Sequence, residues 1–366
     1  MAEVNREMLL DCALCPNMCR CECPVDQEWR REASSPAGKA RLAHLLLEGR
    51  IEWDSALLEA LSSCLGCRGC QLLCPFPELD LAEELLRMRT EERPAGMVLP
   101  AAVPYLNNLK KFGSPYGARP TGGAASGPPE KPEVLYFTNC TAQANNPRMQ
   151  QRTVELLEAA GVSYRVLDQY CCGYPAQIWG DLELARQLAA ENAAQINASG
   201  AALLLTDCPE CWHTFTARYP HWGSELSLPV VDTATYFLEL VREQRLKPGP
   251  IEGITAVTYH DPCIWARVAE RCEAPRELLQ SIPTLELKEA RPAGKETRCC
   301  GAGAMFQLLF PEQSAQIARR RLEELPPADA VVTACPFCRE NLQVDGARLL
   351  DLVELLGCSV LQERDR

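Results

Sequence analysis

The chain has 366 residues, 21 of them cysteine, and its 37 Lys and Arg against 49 Asp and Glu leave a formal net charge of −12. An acidic chain lacks the basic face that phosphate binding needs, so nucleic acid is excluded as a partner. The longest apolar candidate, Met97 to Leu106, is short and broken by Pro100 and Pro104, so no membrane span is expected. A secreted disulfide scaffold is disfavoured as well, because no apolar signal segment follows the N-terminal Met-Ala-Glu-Val-Asn and disulfide-dense chains are usually small. The expectation is a soluble, cytoplasmic protein that reaches the inner face of a membrane only through a partner subunit.

Residues 1–95 read as helical. Ser35 and Pro36 look like an N-cap and a first helical position, opening an amphipathic helix that ends at Gly49. Asp54 caps a second helix running toward Cys64, and a third runs from Glu78 to Glu92 before Pro94. These helices embrace two cysteine groups: Cys12, Cys15, Cys19 and Cys23-Pro24, then Cys64, Cys67, Cys70 and Cys74-Pro75. The second group has the C-x2-C-x2-C-x3-C-P spacing of bacterial ferredoxins, in which the fourth cysteine ligates the other 4Fe–4S cluster of the pair. The first group carries one extra residue between its second and third cysteines, and Cys21 lies inside it as a competitor; the proline after Cys23 favours Cys23. Cross-ligation predicts one cluster on Cys12, Cys15, Cys19 and Cys74, and another on Cys64, Cys67, Cys70 and Cys23. C-x2-C pairs also suit zinc, but zinc sites use two spaced pairs rather than a four-cysteine run with a following proline, twice.

Residues 96–132 are rich in Pro, Gly and Ala without clear periodicity and read as a surface linker, with Leu109 to Gly117 partly ordered against a neighbour. Beyond it short apolar strands alternate with helices. Strands are expected at Val134–Phe137, Tyr164–Leu167 and Ala201–Leu205, with helices at Pro147–Ala160 and Asp181–Ala198; the second half repeats with strands Ala256–Tyr259 and Ala330–Val332 and helix Gln313–Glu324. Such alternation implies a largely parallel sheet in each half, 133–249 and 250–366. Sites in such sheets form at the carboxyl ends of strands.

Just past those strand ends stand two matching cysteine sets: Cys140, Cys171, Cys172, Cys208, Cys211 and Cys263, Cys299, Cys300, Cys335, Cys338. Corresponding members are offset by 123 to 128 residues, the mark of an internal duplication. Each set has a Cys-Cys-Gly triplet and a downstream Cys-Pro-x-Cys. Five thiolates exceed the four of a cubane, and adjacent cysteines suit neighbouring irons of an extended cluster. Zinc or an ordinary cubane with a spare cysteine is the simpler alternative. His260 and Asp261 precede Cys263 and either donate a proton to a released thiolate or, as the plainer reading has it, brace the loop. His44, His213 and His221 show no ligand spacing, while Cys272 and Cys358 read as small core residues. No G-x-G-x-x-G follows a strand and no P-loop appears, so neither flavin nor NAD is expected in this chain.

The patterns Asn-Cys140, Cys171-Cys172-Gly173-Tyr-Pro, Asp-Cys208-Pro-Glu-Cys211 and His-Asp-Pro-Cys263, Cys299-Cys300-Gly301-Ala-Gly, Ala-Cys335-Pro-Phe-Cys338 resemble the CCG domains of heterodisulfide reductases and related iron–sulfur oxidoreductases. A ferredoxin-like domain ahead of two CCG domains is similar to the heterodisulfide reductase subunit of that organisation and to the iron–sulfur subunits of glycolate and glycerol-3-phosphate dehydrogenases. The resemblance implies a multidomain α+β chain: an N-terminal all-helical two-cluster domain, then two pseudo-symmetric α/β CCG domains. It further implies one or two non-cubane 4Fe–4S clusters beside the two cubanes, with Cys300, Cys299, Cys172, Cys171 and His260 as the catalytic candidates for reducing or forming a disulfide. The expected partners are a flavoprotein, a membrane cytochrome or quinone-reactive subunit, or a ferredoxin, in a hetero-oligomer. The alternative is an electron-relay subunit of a flavin-dependent dehydrogenase.

Overall fold

The computed structural model describes residues 4–76, 78–117, 131–167 and 170–362. Every described element before residue 134 is helical. The helices Pro36–Leu47, Ser55–Ser62 and Leu81–Thr90 start where polar side chains satisfy orphan amides: Ser35 accepts from Gly38 N, Asp54 from Leu57 N and Asp80 from Glu83 N. A further helix, Arg6–Leu14, begins at Asn5, whose side chain accepts from Met8 N, and carries Cys12 within it. Leu9, Ala13, Ala40, Ala43, Leu57, Leu61, Leu85 and Met88 form the core that these helices share.

The stretch expected to be a linker is partly a helix. Residues Val103–Phe112 are α-helical, preceded by a 3-10 turn at Pro100–Ala102 and ended by Gly113 at φ +69°. Its two prolines sit in the first turns, where no amide is needed, so they start the helix instead of breaking it. Leu106 and Leu109 are buried with Leu135, Phe137 and Trp179, and Tyr105 lies 5.8 Å from Trp179 between ring centroids. The rest of that stretch, 118–130, lies outside the described residues.

Two four-stranded sheets follow. The first comprises β1 (Val134–Phe137), β2 (Tyr164–Val166), β3 (Leu203–Thr206) and β4 (Val230–Asp232) in the order β2-β1-β3-β4, all parallel. The second comprises β5 (Ala256–His260), β6 (Glu286–Glu289), β7 (Ala330–Thr333) and β8 (Leu349–Asp351) in the order β6-β5-β7-β8, again all parallel. The strand order reverses between β1 and β3, and between β5 and β7, which is where an open parallel sheet forms its crevice. Strands β4, β6 and β8 were not expected: each is three or four residues long, and Glu286–Glu289 holds a single apolar residue, Leu287, at a sheet edge.

The two halves share one core. Helix Leu352–Leu361 of the second half lies against Pro147–Ala159 of the first, and Thr233–Arg242 of the first lies against Glu273–Gln280 of the second. Leu156, Phe237, Leu279, Leu355 and Leu356 are all fully buried there. At the seam the rings of Trp212 and Trp265 sit 5.5 Å apart, with Arg271 over both. Replacing Leu109 by Ala removes a fully buried anchor of the pre-sheet helix, and urea unfolding is expected to show a loss of about 2–4 kcal/mol. A loss near zero would return residues 103–112 to the status of a surface linker.

Candidate metal centres

All 21 cysteines are free thiols. Eighteen of them gather in four places. Cys12, Cys15, Cys19 and Cys74 line a cavity of about 250 Å³, although some fifty residues separate the third from the fourth. Burial, and then the neighbouring Cys74, Cys19 and Cys15, push the Cys12 thiol up to about 12. Crowded thiols of this kind become thiolates together only around a cation, and a donor set made purely of soft sulfur suits iron–sulfur clusters or zinc.

Cys23, Cys64, Cys67 and Cys70 line a second, smaller cavity together with Lys39. Lys39 is buried and its Nζ donates to Ser34 O at 2.6 Å, placing a fixed positive charge beside the thiols. Arg89 donates to the carbonyls of Ser62 and Cys64, and Arg267 to the carbonyl of Cys67 at 2.6 Å. The sequence reading missed these cations. Lys39 stands one helical turn before Ala43 and beside Ala40 on the buried face, so a lysine on an apolar stripe was the available signal. Cys21, the competitor for a ligand place, is exposed and absent from both cavities; Cys23 lines the second.

The first five-cysteine set converges at the ends of β1 and β3. Cys140 follows β1 by three residues and Cys208 follows β3 by two, while the Cys140 and Cys171 sulfurs are 3.9 Å apart. Cys171 N donates to Gly113 O at 2.7 Å, so the pre-sheet helix holds this loop. Asn192 braces it from behind, donating to Cys171 O at 3.1 Å. Hydrogen bonds from the Cys171 and Cys211 thiols lower the Cys172 thiol well below its usual range.

The second set repeats the arrangement. Cys263 follows β5 and Cys335 follows β7, and Cys300 and Cys338 are 3.1 Å apart. Asn341 donates to Cys300 O at 2.7 Å, the carbonyl of the second cysteine of its pair, whereas Asn192 takes that of the first, Cys171. Cys300 is likewise held low, first by hydrogen bonds from Cys299 and Cys338. Gly173 and Gly301 adopt φ of +95° and +96°, and a Cβ on either would press within about 3 Å of a helix backbone oxygen, Ala185 O or Ser314 O. Both triplets therefore need glycine for conformation and for space.

His260, fully buried at the end of β5, belongs to this second group: one ring nitrogen of His260 and the sulfurs of Cys300 and Cys338 lie within 4.8 Å of one another. Its Nδ1 accepts from Arg321 Nε at 3.2 Å, which leaves the ring proton on Nε2, a buried atom with no hydrogen-bond partner among the described residues. Burial lowers its pKa, so the neutral ring is favoured. Asp261 points elsewhere: its carboxylate takes both guanidinium nitrogens of Arg276, at 2.7 and 2.9 Å, and Gly294 N. Asp261 thus braces the loop. His44, His213 and His221 lie outside the thiol groups. Cys358 is buried as expected, whereas Cys272 is only partly buried at the start of helix Glu273–Gln280, because that helix sits at the edge of its sheet and its first residue faces outward.

Two contacts join the Cys64–Cys67 loop to the second five-cysteine set. Cys67 and Cys299 touch: a hydrogen bond from the Cys299 thiol is the first cause that draws Cys67 down to about 6. The loop after the second triplet seats so closely on the Cys64–Cys67 loop that a Cβ on Gly303 would lie 2.2 Å from Leu65 O. Cys263, Cys300, Cys335 and Cys338 of the second set line a cavity of about 20 Å³ whose other wall is formed by Tyr174, Pro209 and Glu210 of the first half; no cysteine of the first set lines it. Burial raises Glu210 there to about 7.

The match to the cysteine-rich CCG domain family covers residues 134–216 and again 257–343, and a match to the 4Fe-4S dicluster domain covers 8–77. The chain is 31% identical to a subunit of the dihydromethanophenazine:CoB–CoM heterodisulfide reductase of Methanosarcina mazei, over 62% of this chain and 59% of that protein. It is 28% identical to a subunit of the fumarate reductase (CoM/CoB) of Methanothermobacter marburgensis, over 92% of this chain and 70% of that one. It is 26% identical to a probable glycolate oxidase iron-sulfur subunit of Bacillus subtilis, over 90% and 87%. The chain thus spans somewhat over half the length of the heterodisulfide reductase subunits it matches, 54–59%. A crystal structure of a hypothetical protein from Helicobacter pylori shares the fold at a TM-score of 0.61 and 12% identity, over 93% of this chain and 70% of that one.

Gly301→Ala is expected to cost about 2 kcal/mol, from strain at a left-handed residue and the clash with Ser314 O, and to lower bound iron on anaerobic metal analysis. Wild-type iron content in that variant would contradict the close approach. Cys21→Ser is expected to retain all bound iron and Cys23→Ser to lose one cluster's share; the reverse result would exchange their roles.

Proposed function

The chain belongs to the iron–sulfur proteins that join a 4Fe-4S dicluster domain to cysteine-rich CCG domains, and we propose that it is the disulfide-handling subunit of a heterodisulfide-reductase-like oxidoreductase. In this reading residues 1–95 form the two-cluster domain, 96–132 the connection, and 133–249 and 250–366 two pseudo-symmetric CCG domains. Cys12, Cys15, Cys19 and Cys74 hold one cubane and Cys64, Cys67, Cys70 and Cys23 the other. Cys140, Cys171, Cys172, Cys208 and Cys211, and Cys263, Cys299, Cys300, Cys335 and Cys338, hold the non-cubane clusters. When bound, such clusters store single electrons and accept sulfur ligands at iron.

The observation that carries the proposal is the contact between Cys67 and Cys299. It supports a thiolate path from the helical domain into the second five-cysteine set. Reducing a disulfide takes two electrons and two protons and releases two thiols, with the S–S bond broken. Neutral His260, its Nδ1 taken by Arg321, would offer a departing sulfur a hydrogen bond from Nε2–H without giving up that proton, the two protons of the reaction coming from solvent. Lys39 and Arg267 offset the negative charge gathered on the path.

A second reading is an electron-relay subunit of a flavin-dependent dehydrogenase working with a quinone-reactive or membrane partner. The small cavity beside the second five-cysteine set favours it, since about 20 Å³ admits no more than a water-sized guest. Under either reading a flavoprotein, membrane cytochrome or ferredoxin completes a hetero-oligomer.

The disulfide-handling reading predicts that oxidised, anaerobically purified protein gives a thiol-dependent paramagnetic EPR signal that Cys300→Ser abolishes. Silence toward every thiol tested, with full iron and sulfide content, would leave the relay reading standing.

A further inference from the structure

Seven large hydrophobic side chains are more than a third exposed among the described residues, and six of them, Leu10, Leu14, Met18, Leu72, Leu73 and Phe76, come from just two segments. Those segments are the loops that carry Cys12, Cys15 and Cys19 on one side and Cys70 and Cys74 on the other. On helix Arg6–Leu14 the core-facing side chains are Met8, Leu9 and Ala13. Leu10 and Leu14, one turn apart, lie on the other stripe, 37% and 76% exposed. Met18, Leu73 and Phe76 line the roughly 250 Å³ cavity that holds Cys12, Cys15, Cys19 and Cys74. The apolar patch therefore encircles the thiol set nearest to solvent, whereas both five-cysteine sets are buried. An exposed, contiguous apolar patch of this kind marks an interaction surface.

The charges around it are one-sided. Glu7, Asp11 and Glu78 are exposed beside the patch. Within 6–21 and 70–78 the basic residues are Arg6, which pairs with Glu48 at 3.7 Å, and Arg20, whose guanidinium is taken by Asp26 and Glu32. An acidic rim repels anionic lipid headgroups, which recruit basic segments. It complements a protein whose contact face is apolar at the centre and basic at the edge.

We propose that this face is the docking site of a separate electron-carrying protein with an apolar contact face ringed by Lys and Arg, which exchanges electrons with the chain through the Cys12, Cys15, Cys19 and Cys74 group. The proposal rests on the reading that those four thiols hold a cluster. One electron passes per encounter, the carrier being reduced as the cluster is oxidised or the reverse.

The test uses a lysine-ringed c-type cytochrome as the probe and the full chain, purified anaerobically with its iron. Calorimetry of the two oxidised proteins is expected to show binding that weakens with added salt. In the Leu14→Ser/Phe76→Ser double variant it should weaken by about tenfold or more. Stopped-flow electron transfer from the dithionite-reduced chain to the cytochrome is expected to slow by a similar factor, while transfer to a small neutral dye is unchanged. Val103→Ser, at the one exposed large hydrophobic outside the patch, is expected to behave as wild type. Equal affinity and equal rate in the double variant would overturn the proposal. So would binding to vesicles of phosphatidylcholine and phosphatidylglycerol that the double variant loses, since the patch would then serve lipid. A missing cluster on iron analysis would instead remove the functional reading, with the calorimetric result still deciding the docking face.

Discussion

Buried sulfur is the constraint on which this fold depends. Ten cysteines of the two repeated sets are buried, with sulfurs as close as 3.1 Å, and none forms a disulfide. Burial and crowding hold most of them as neutral thiols, since each thiolate would meet its neighbours' charge in a dry interior. Only a cation relieves that conflict, which suits these donor groups to a metal. The backbone around them is correspondingly rigid. Asn192 and Asn341 pin the two Cys-Cys carbonyls, and left-handed glycines turn the chain immediately after each pair.

The same constraint explains how the parts of the chain meet. The Cys64–Cys67 loop is seated on the second triplet's loop by Arg267 and by the missing Cβ of Gly303. The first triplet is tied to the end of helix Val103–Phe112 through Gly113 O. The two sheets put their cysteine-bearing ends on a common side, while exchanged helices close the opposite side with an apolar core. Thiols at the crevices, hydrocarbon behind them and cations at the seams separate the roles of the three layers.

Much of this was legible from residue types and spacing. The C-x2-C-x2-C-x3-C-P run and the offset of 123 to 128 residues identified all four thiol groups, and apolar runs of four or five residues located β1, β3, β5 and β7. Caps at Ser35 and Asp54 marked two helices because a side-chain acceptor beside a free amide is a local event. The helix at Val103–Phe112 was obscured by its prolines, whose meaning depends on whether they fall in a first turn or an interior. The short edge strands escaped because three or four residues carry too little periodicity to stand out.

By itself, then, the sequence determined where the cysteines cluster, the duplication and the parallel α/β halves, since these follow from spacing and from local hydrophobic pattern. Only the tertiary structure decided that Cys67 meets Cys299, that His260 turns to Cys300 while Asp261 turns to Arg276, and that Lys39 stands buried beside thiols. It alone placed six exposed apolar side chains around one thiol set. Contacts of this kind join residues up to some two hundred positions apart, and their partners are chosen by how helices and sheets pack, which no local pattern in the chain encodes.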